Sequence, residues 1–241
     1  MQRTMIGLML DRTMAGQVLE AAQSQGRQFI TEPEAKRVLQ AYGVPTPRGH
    51  LCLSLEEATS AAREIGYPVA MKIVSPKIIH KTELGGVRVN IVSDEDLRNA
   101  HSEMMAAVTA SISERDIQGV LVEEMAHGHE LIIGASRDQQ FGPLVMFGIG
   151  GVFVEILKDV SYRLAPLDTA EAREMIREIK GYPLLAGTRG GKPVNEEALV
   201  DVLVRVSRLV DDFREIKELD LNPTFAEGDS IVAADARIIV D

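Results

Sequence analysis

The dipeptide Gly228-Asp229 constrains this chain more tightly than any other short stretch of it. It lies between two runs of strand character, Leu219 to Phe225 and Ile231 to Val240, and reads as a two-residue hairpin turn. Symmetric pairing about such a turn opposes residues whose numbers share one sum, and that sum sets Asn222 against Asp235. Directly opposed residues carry their Cβ atoms about 4.5–5.5 Å apart. An amide oxygen and a carboxylate at that spacing either hydrogen-bond to each other or share a divalent cation such as Mg2+. Pro223, which cannot donate to a ladder, is expected to disturb the pairing locally.

Upstream, helix and strand signals alternate. Thr31-Glu32-Pro33-Glu34 has the spacing of a capping box, and Ala35, Val38, Leu39 and Tyr42 follow at helical period, which predicts a helix over 33–42 ended by Gly43 and Pro45. Ser54-Leu55-Glu56-Glu57 repeats that start before Ala58, Ala61, Ala62 and Ile65. Val69 to Val74 reads as a buried strand, Val87 to Val92 as an alternating one, and 94–110 as a helix with Leu97, His101, Met104 and Val108 along one stripe. From Gly119 the pattern turns strand-rich, with short runs at 119–125, 130–135, 144–147 and 152–157. Helices over 169–180 and 195–213 precede the hairpin. The sum is an α+β chain in two lobes: a helical extension or linker over 1–27, a first lobe over 28–117 and a larger second lobe over 118–241.

Composition narrows the functions open to such a chain. A net charge of -10 argues against general affinity for nucleic acid, so any phosphate site has to be built locally from named residues. The single cysteine, Cys52, sits between two leucines; it allows no disulfide within the chain, reads as a core residue and fits a reducing, cytoplasmic setting. The apolar start Met5 to Leu10 is too short to span a membrane and lacks a signal-peptide pattern.

Against that background Lys72 stands out. Alternation along Val69 to Val74 puts it on a face with Ala70 and Val74, where a charge either snorkels to the rim of the sheet or faces an anion. The loop that follows, Ser75 to Gly86, adds Lys77, His80, Lys81, Thr82 and the pair Gly85-Gly86. That composition suits either a solvated turn or a mobile glycine-tipped lid whose N–H groups close over phosphates, although it is not a Walker loop. His80 is the one histidine placed among cationic and hydroxyl groups, where an imidazole can hydrogen-bond or accept a phosphoryl group. Glu123 and Glu124 end one strand and Glu130 opens the next, either as solvated turn residues or as groups that hold a base edge and ribose hydroxyls. No histidine has metal-ligand spacing with a second His or Cys, so a zinc site is not expected.

Taken in order, Val-Ala-Met-Lys72, His80-Lys-Thr-Glu-Leu-Gly-Gly86, Leu-Val-Glu-Glu-Met125, Phe-Gly-Ile-Gly-Gly-Val-Phe-Val-Glu155, Arg163-Leu-Ala-Pro-Leu167, Gly187-Thr-Arg-Gly190 and Leu-Asp-Leu-Asn-Pro223 resemble the β subunits of ADP-forming acetyl-CoA synthetases and the matching region of fused acyl-CoA synthetases. The likeness covers about residues 28–241. It implies an ATP-grasp fold whose two lobes hold ATP or ADP with Mg2+ between them. It also implies a reversible transfer of phosphate between nucleotide and histidine, with the acyl and CoA chemistry on a CoA-binding α subunit or fused domain that carries a phosphohistidine. By matching positions, the resemblance assigns phosphate contact to Lys72, the adenine hinge to Glu123, Glu124 and Met125, and the ribose to Glu130; Lys81, Gly85 and Gly86 of the lid are expected to bind the nucleotide with them. Asn222 and Asp235 correspond to the magnesium ligands. His80 resembles a second phosphorylation site, a relay from the partner's histidine; Asp220 and Glu155 would orient a ligand or imidazole, and Arg189 would contact an anion. An ATP-grasp carboxylate–amine ligase needs neither His80 nor a CoA-binding partner, and a nucleotide-sensing module would bind without partner-dependent exchange.

Overall fold

The computed structural model describes residues 10–151, 158–187 and 192–241. In chain order the elements are α1 (Arg12–Ser24), β1 (Phe29–Ile30), α2 (Glu32–Ala41), β2 (Gly49–Cys52), α3 (Leu55–Ile65), β3 (Val69–Val74), β4 (Val87–Ile91), α4 (Asp94–Thr109) and β5 (Gly119–Glu124). There follow β6 (His129–Asp138), β7 (Gly142–Ile149), β8 (Val160–Leu164), α5 (Thr169–Glu178), α6 (Tyr182–Leu185), α7 (Glu196–Asp212), β9 (Ile216–Glu227), β10 (Ser230–Ala233) and β11 (Arg237–Val240).

These elements divide into two compact units. The smaller is built on an antiparallel sheet in the order β2-β5-β3-β4, against which α3 and α4 pack. Ser54 starts α3 as the sequence predicts, its hydroxyl accepting from the Glu57 amide at 3.2 Å. The apolar stripes of the two helices, Ala58 and Ala62 on α3 with Leu97, Met104 and Val108 on α4, meet Met71, Ile73, Val120 and Val122 of the sheet.

The larger unit carries an antiparallel sheet in the order β1-β11-β9-β6-β7-β8, with β10 paired to β9. Leu199, Leu203, Val206 and Val210 recur at helical spacing on α7 and pack with Met175 and Ile176 of α5 and with Leu131, Ile133, Val145 and Phe147 of the sheet. Asn195 caps α7, its side-chain oxygen accepting from the amides of Glu197 and Ala198.

Three features differ from the sequence-based expectation. Strand β5 pairs with β2 and β3, and most of α2 packs in the core of the larger unit, so the smaller unit comprises Thr31–Pro33 and Pro47–His127 in place of the expected 28–117; the apolar run of β5 looked continuous with the strand-rich stretch that follows it. The lead-in is helical as expected, but α1 is not a linker, since its Ala15, Leu19 and Ala22 are buried in the core of the larger unit. Strand β8 was not anticipated, although Val160, Tyr162 and Leu164 alternate with Ser161 and Arg163; its apolar face is largely exposed and the buried position is Ser161. The strand expected over 152–157 lies outside the described residues. Among the described residues, no helix is long and apolar enough to cross a membrane.

Candidate functional site

Alternation along β3 sends Met71 and Ile73 into the core of the smaller unit and leaves Lys72 on the opposite face. Lys72 is nevertheless only 7% exposed, so it does not snorkel to solvent. A buried ammonium needs anions close by, and two are present. Its Nζ lies 2.7 Å from Glu32 Oε1 and 3.1 Å from Glu123 Oε2. The second oxygen of Glu32 meets Lys81, with Nζ to Oε2 at 2.9 Å. Both carboxylates are buried. Two strands, the start of α2 and the loop after β3 therefore converge on a cluster of two cations and two anions.

Sequence reasoning found the two lysines and missed the partner that joins them. Glu32 was part of a helix-start signal, and nothing local marks a contact across 40 residues. Glu123 is not a solvated turn residue, because β5 continues through Glu124 and turns the Glu123 side chain onto Lys72. Glu124 is half-buried and takes Arg48 at 2.8 Å, while its amide donates to Arg48 O at 3.0 Å; Met125 follows directly.

The loop between β3 and β4 is tighter than an open lid. The Gly85 amide donates to Thr82 O at 3.1 Å and the Gly86 amide to Lys81 O at 2.7 Å, while Gly86 O accepts from Ile73 N at 2.8 Å. Both amides are thus engaged inside the turn and do not form the phosphate cradle that the composition suggested. The glycines have a steric reason instead. Gly85 sits at φ 67°, and a Cβ on Gly86 would lie 2.5 Å from Ile73 Cγ2. His80 precedes Lys81 in this loop and is exposed.

In the larger unit the hairpin register is the one the turn predicts. Ala226 pairs with Ile231 and Thr224 with Ala233, and beyond an interruption Asp220 pairs with Arg237 and Leu219 with Ile238, all with one sum of residue numbers. The interruption falls at Asn222 and Pro223, whose peptide bond is cis, and Pro223 O there accepts from the amides of Ala234 and Asp235 at 3.0 and 3.3 Å. The register on both sides of the break sets Asn222 opposite Asp235.

Asp220 shares the open face of this sheet, in a cavity of about 380 Å³ lined by Ile132, Met146, Tyr162, Glu218 and Arg237 among others. Burial pushes its carboxyl above the usual aspartate range; Arg237, at 3.7 Å, pulls it down, and Asp235 and Glu218 push it up again. Asp235 and Asp220 therefore feel each other's charge. Among the described residues no three His, Cys, Asp or Glu side chains gather as a metal site. An amide oxygen beside one carboxylate still suits Mg2+, which takes few protein ligands and completes its shell with phosphate and water.

Glu130 is exposed at the start of β6, and its carbonyl accepts from the Gly150 amide at 2.7 Å. Glu155 and Arg189 lie outside the described residues. Two further reactive side chains, Cys52 and His101, are packing groups. Cys52 is 2% exposed with its thiol pushed up to about 11, mainly by burial, and burial likewise lowers His101 on α4.

Residues 21–240 match the family model described as ATP-grasp domain, and the chain belongs to that family. It is 52% identical over 227 residues to the ADP-forming acetate–CoA ligase I subunit beta of Pyrococcus furiosus, a match covering 94% of this chain and 97% of that one. Acetyl-coenzyme A synthetase 1 of Ca. Korarchaeum cryptofilum, solved with coenzyme A and Ca-AMPCP, superposes with a TM-score of 0.91 at 47% identity, over 94% of this chain and 100% of the other. A second structure of that enzyme holds coenzyme A and Mg-AMPPCP, with a phosphohistidine segment pointing towards the nucleotide binding site; it gives a TM-score of 0.82 at 44% identity, over 94% and 100% of the two chains. The α+β ATP-grasp fold that the motifs implied is therefore the fold of this chain.

Proposed function

We propose that the chain is the nucleotide-binding subunit of an ADP-forming acyl-CoA synthetase, an acid–thiol ligase that works with a CoA-binding partner. The overall reaction is acyl-CoA, ADP and phosphate going reversibly to carboxylic acid, CoA and ATP. The observation that carries this reading is the end-to-end likeness to a β subunit of such a ligase, 52% identical along the length of both chains.

The acyl and CoA chemistry belongs to the partner, an α subunit or a fused domain, so the working particle is a hetero-oligomer or a fused chain. There phosphate displaces CoA from the acyl group, and the acyl phosphate gives up its phosphoryl group to a histidine. His80 accepts that group from the partner's phosphohistidine and passes it to ADP. Its exposure supports the role, since an acceptor has to be reachable by a donor on another chain. Lys72 and Lys81 are the cations that meet the nucleotide phosphates, Glu124 and Met125 flank the adenine, and Glu130 meets the ribose. Glu123 acts on this site through Lys72, and Gly85 and Gly86 act by shaping the turn that carries Lys81.

Asn222 and Asp235 would hold Mg2+, which when bound neutralises charge on the phosphates being transferred. Asp220 stands on the same sheet face and orients the phosphohistidine. Glu155 and Arg189 keep the roles the family likeness implies, orienting an imidazole and contacting an anion. We place the subunit in the cytoplasm, which fits a chain whose single cysteine, Cys52, is a buried core residue.

The test is phosphoryl exchange with the partner present. Wild-type protein given radiolabelled ATP is expected to form acid-labile phosphohistidine on both chains, and His80→Ala to label neither. Undiminished labelling of the partner by His80→Ala would remove the relay.

A further inference from the structure

A single carboxylate bridges the two lysines. Glu32 stands at the first turn of α2, with one oxygen 2.7 Å from Lys72 of β3 and the other 2.9 Å from Lys81 of the following loop. All three side chains are nearly closed to solvent, at 3% exposure for Glu32, 9% for Lys72 and 13% for Lys81. Buried charge–charge contacts of this kind are sensitive to geometry, because each ammonium left without its carboxylate carries a desolvation cost. Lys72 sits on a rigid strand and also has Glu123 at 3.1 Å. Lys81 belongs to a turn whose glycines fix its shape, and Glu32 ties its ammonium to the same carboxylate that holds Lys72.

We infer that Glu32 is a positioning residue, which sets the spacing of the two lysine ammoniums so that they meet neighbouring phosphates of the nucleotide together. The inference rests on the proposed role of Lys72 and Lys81 as phosphate contacts and adds the group that aligns them. Glu32 itself carries negative charge, so it repels the phosphates. Two physical accounts therefore predict opposite signs. If Glu32 only tempers the local charge, its neutralisation strengthens binding of a polyanion. If it positions the lysines, neutralisation weakens binding, because the glutamine amide group repels one ammonium while its oxygen holds the other.

The experiment is titration of the full chain with Mg·ADP and, separately, with adenosine, which lacks phosphates. Glu32→Gln is expected to weaken Mg·ADP binding on the order of tenfold, the scale of a small misplacement of an aligning group, and to leave adenosine binding unchanged. Lys81→Met, placed on the loop, gives a second route that avoids altering α2. The double variant Glu32→Gln/Lys81→Met is expected to be no worse than either single one. Tighter or unaltered Mg·ADP binding in Glu32→Gln, equal loss for adenosine, or additive losses in the double variant would overturn the inference. Lys72→Met separates the two levels: if it leaves Mg·ADP affinity intact, the phosphate role of the lysines fails, whereas its loss beside a normal Glu32→Gln would leave that role standing and remove only the positioning.

Discussion

The cation cluster on β3 and the break in the β9–β11 ladder are built in opposite ways. Around Lys72 the charges are buried and already paired, two lysines against Glu32 and Glu123. At the break, Asn222 is exposed, Asp235 and Asp220 are half-buried, and like charges push on one another. A buried, paired cluster holds its geometry through the fold itself. The acidic groups at the interrupted ladder are placed by backbone register, with the Ala236 amide donating to Asp235 at 2.9 Å and Arg237 3.7 Å from Asp220, and they still push on each other. The first arrangement ties function to stability, and the second separates them.

The largest effect that follows is on folding. Lys72→Met removes the ammonium shared by Glu32 and Glu123 inside a nearly closed environment. Breaking a buried pair from one side costs about 3–5 kcal/mol. Urea unfolding is expected to show that loss, together with lost Mg·ADP binding. A variant that binds poorly yet unfolds at the wild-type midpoint would mean that the cluster contributes nothing to stability, and the comparison would break at its first term.

The second effect is confined to ligand binding. Asn222 is exposed in a stretch where the ladder is already interrupted, so Asn222→Ala is expected to change stability by no more than about 0.5 kcal/mol. The Mg2+ concentration needed for half-maximal phosphoryl exchange is expected to rise on the order of tenfold or more, as for loss of a group that shapes a metal site. Magnesium dependence that stays the same would remove Asn222 from the site.

How far each region could be read from the sequence follows from the same contrast. The hairpin register was legible because a two-residue turn propagates its pairing rule along both strands, and the rule survived the interruption at Pro223. Lys72 was legible as an anomaly because a period of two leaves no doubt about which face it takes. Glu32 and Glu123 were not legible as its partners. One belonged to a helix start and the other to a strand end, and both signals are local, whereas the contacts run across 40 residues in one case and between neighbouring strands in the other. The glycine pair misled for a related reason. Composition shows that a loop can bend, but not whether its amides face a ligand or, as for Gly86 and Lys81 O, the loop itself. Strand β5 was assigned to the wrong lobe because sequence adjacency to β6 says nothing about which sheet a strand joins.

The smallest expected effect concerns Asp220 and pH. Burial raises its carboxyl in the folded chain, with Asp235 and Glu218 adding to the rise and Arg237 opposing it. A raised folded-state value means that the native chain holds this proton more tightly than the unfolded chain does. The contribution to stability is therefore fully present below the unfolded aspartate range and is lost as pH rises through the folded value. Asp220→Asn removes this dependence. Its melting temperature is expected to exceed that of the wild type slightly at neutral pH, and the gap to narrow on acidification toward the ordinary aspartate range. The side chain is about a third exposed, so solvent screening keeps the effect small. Bound Mg2+ beside Asp235 would offset the repulsion, and the wild type should then gain more from added Mg2+ than the variant does. A gap between the two proteins that widens in acid, or that ignores Mg2+, would show that the carboxylates at the break do not act on each other through charge.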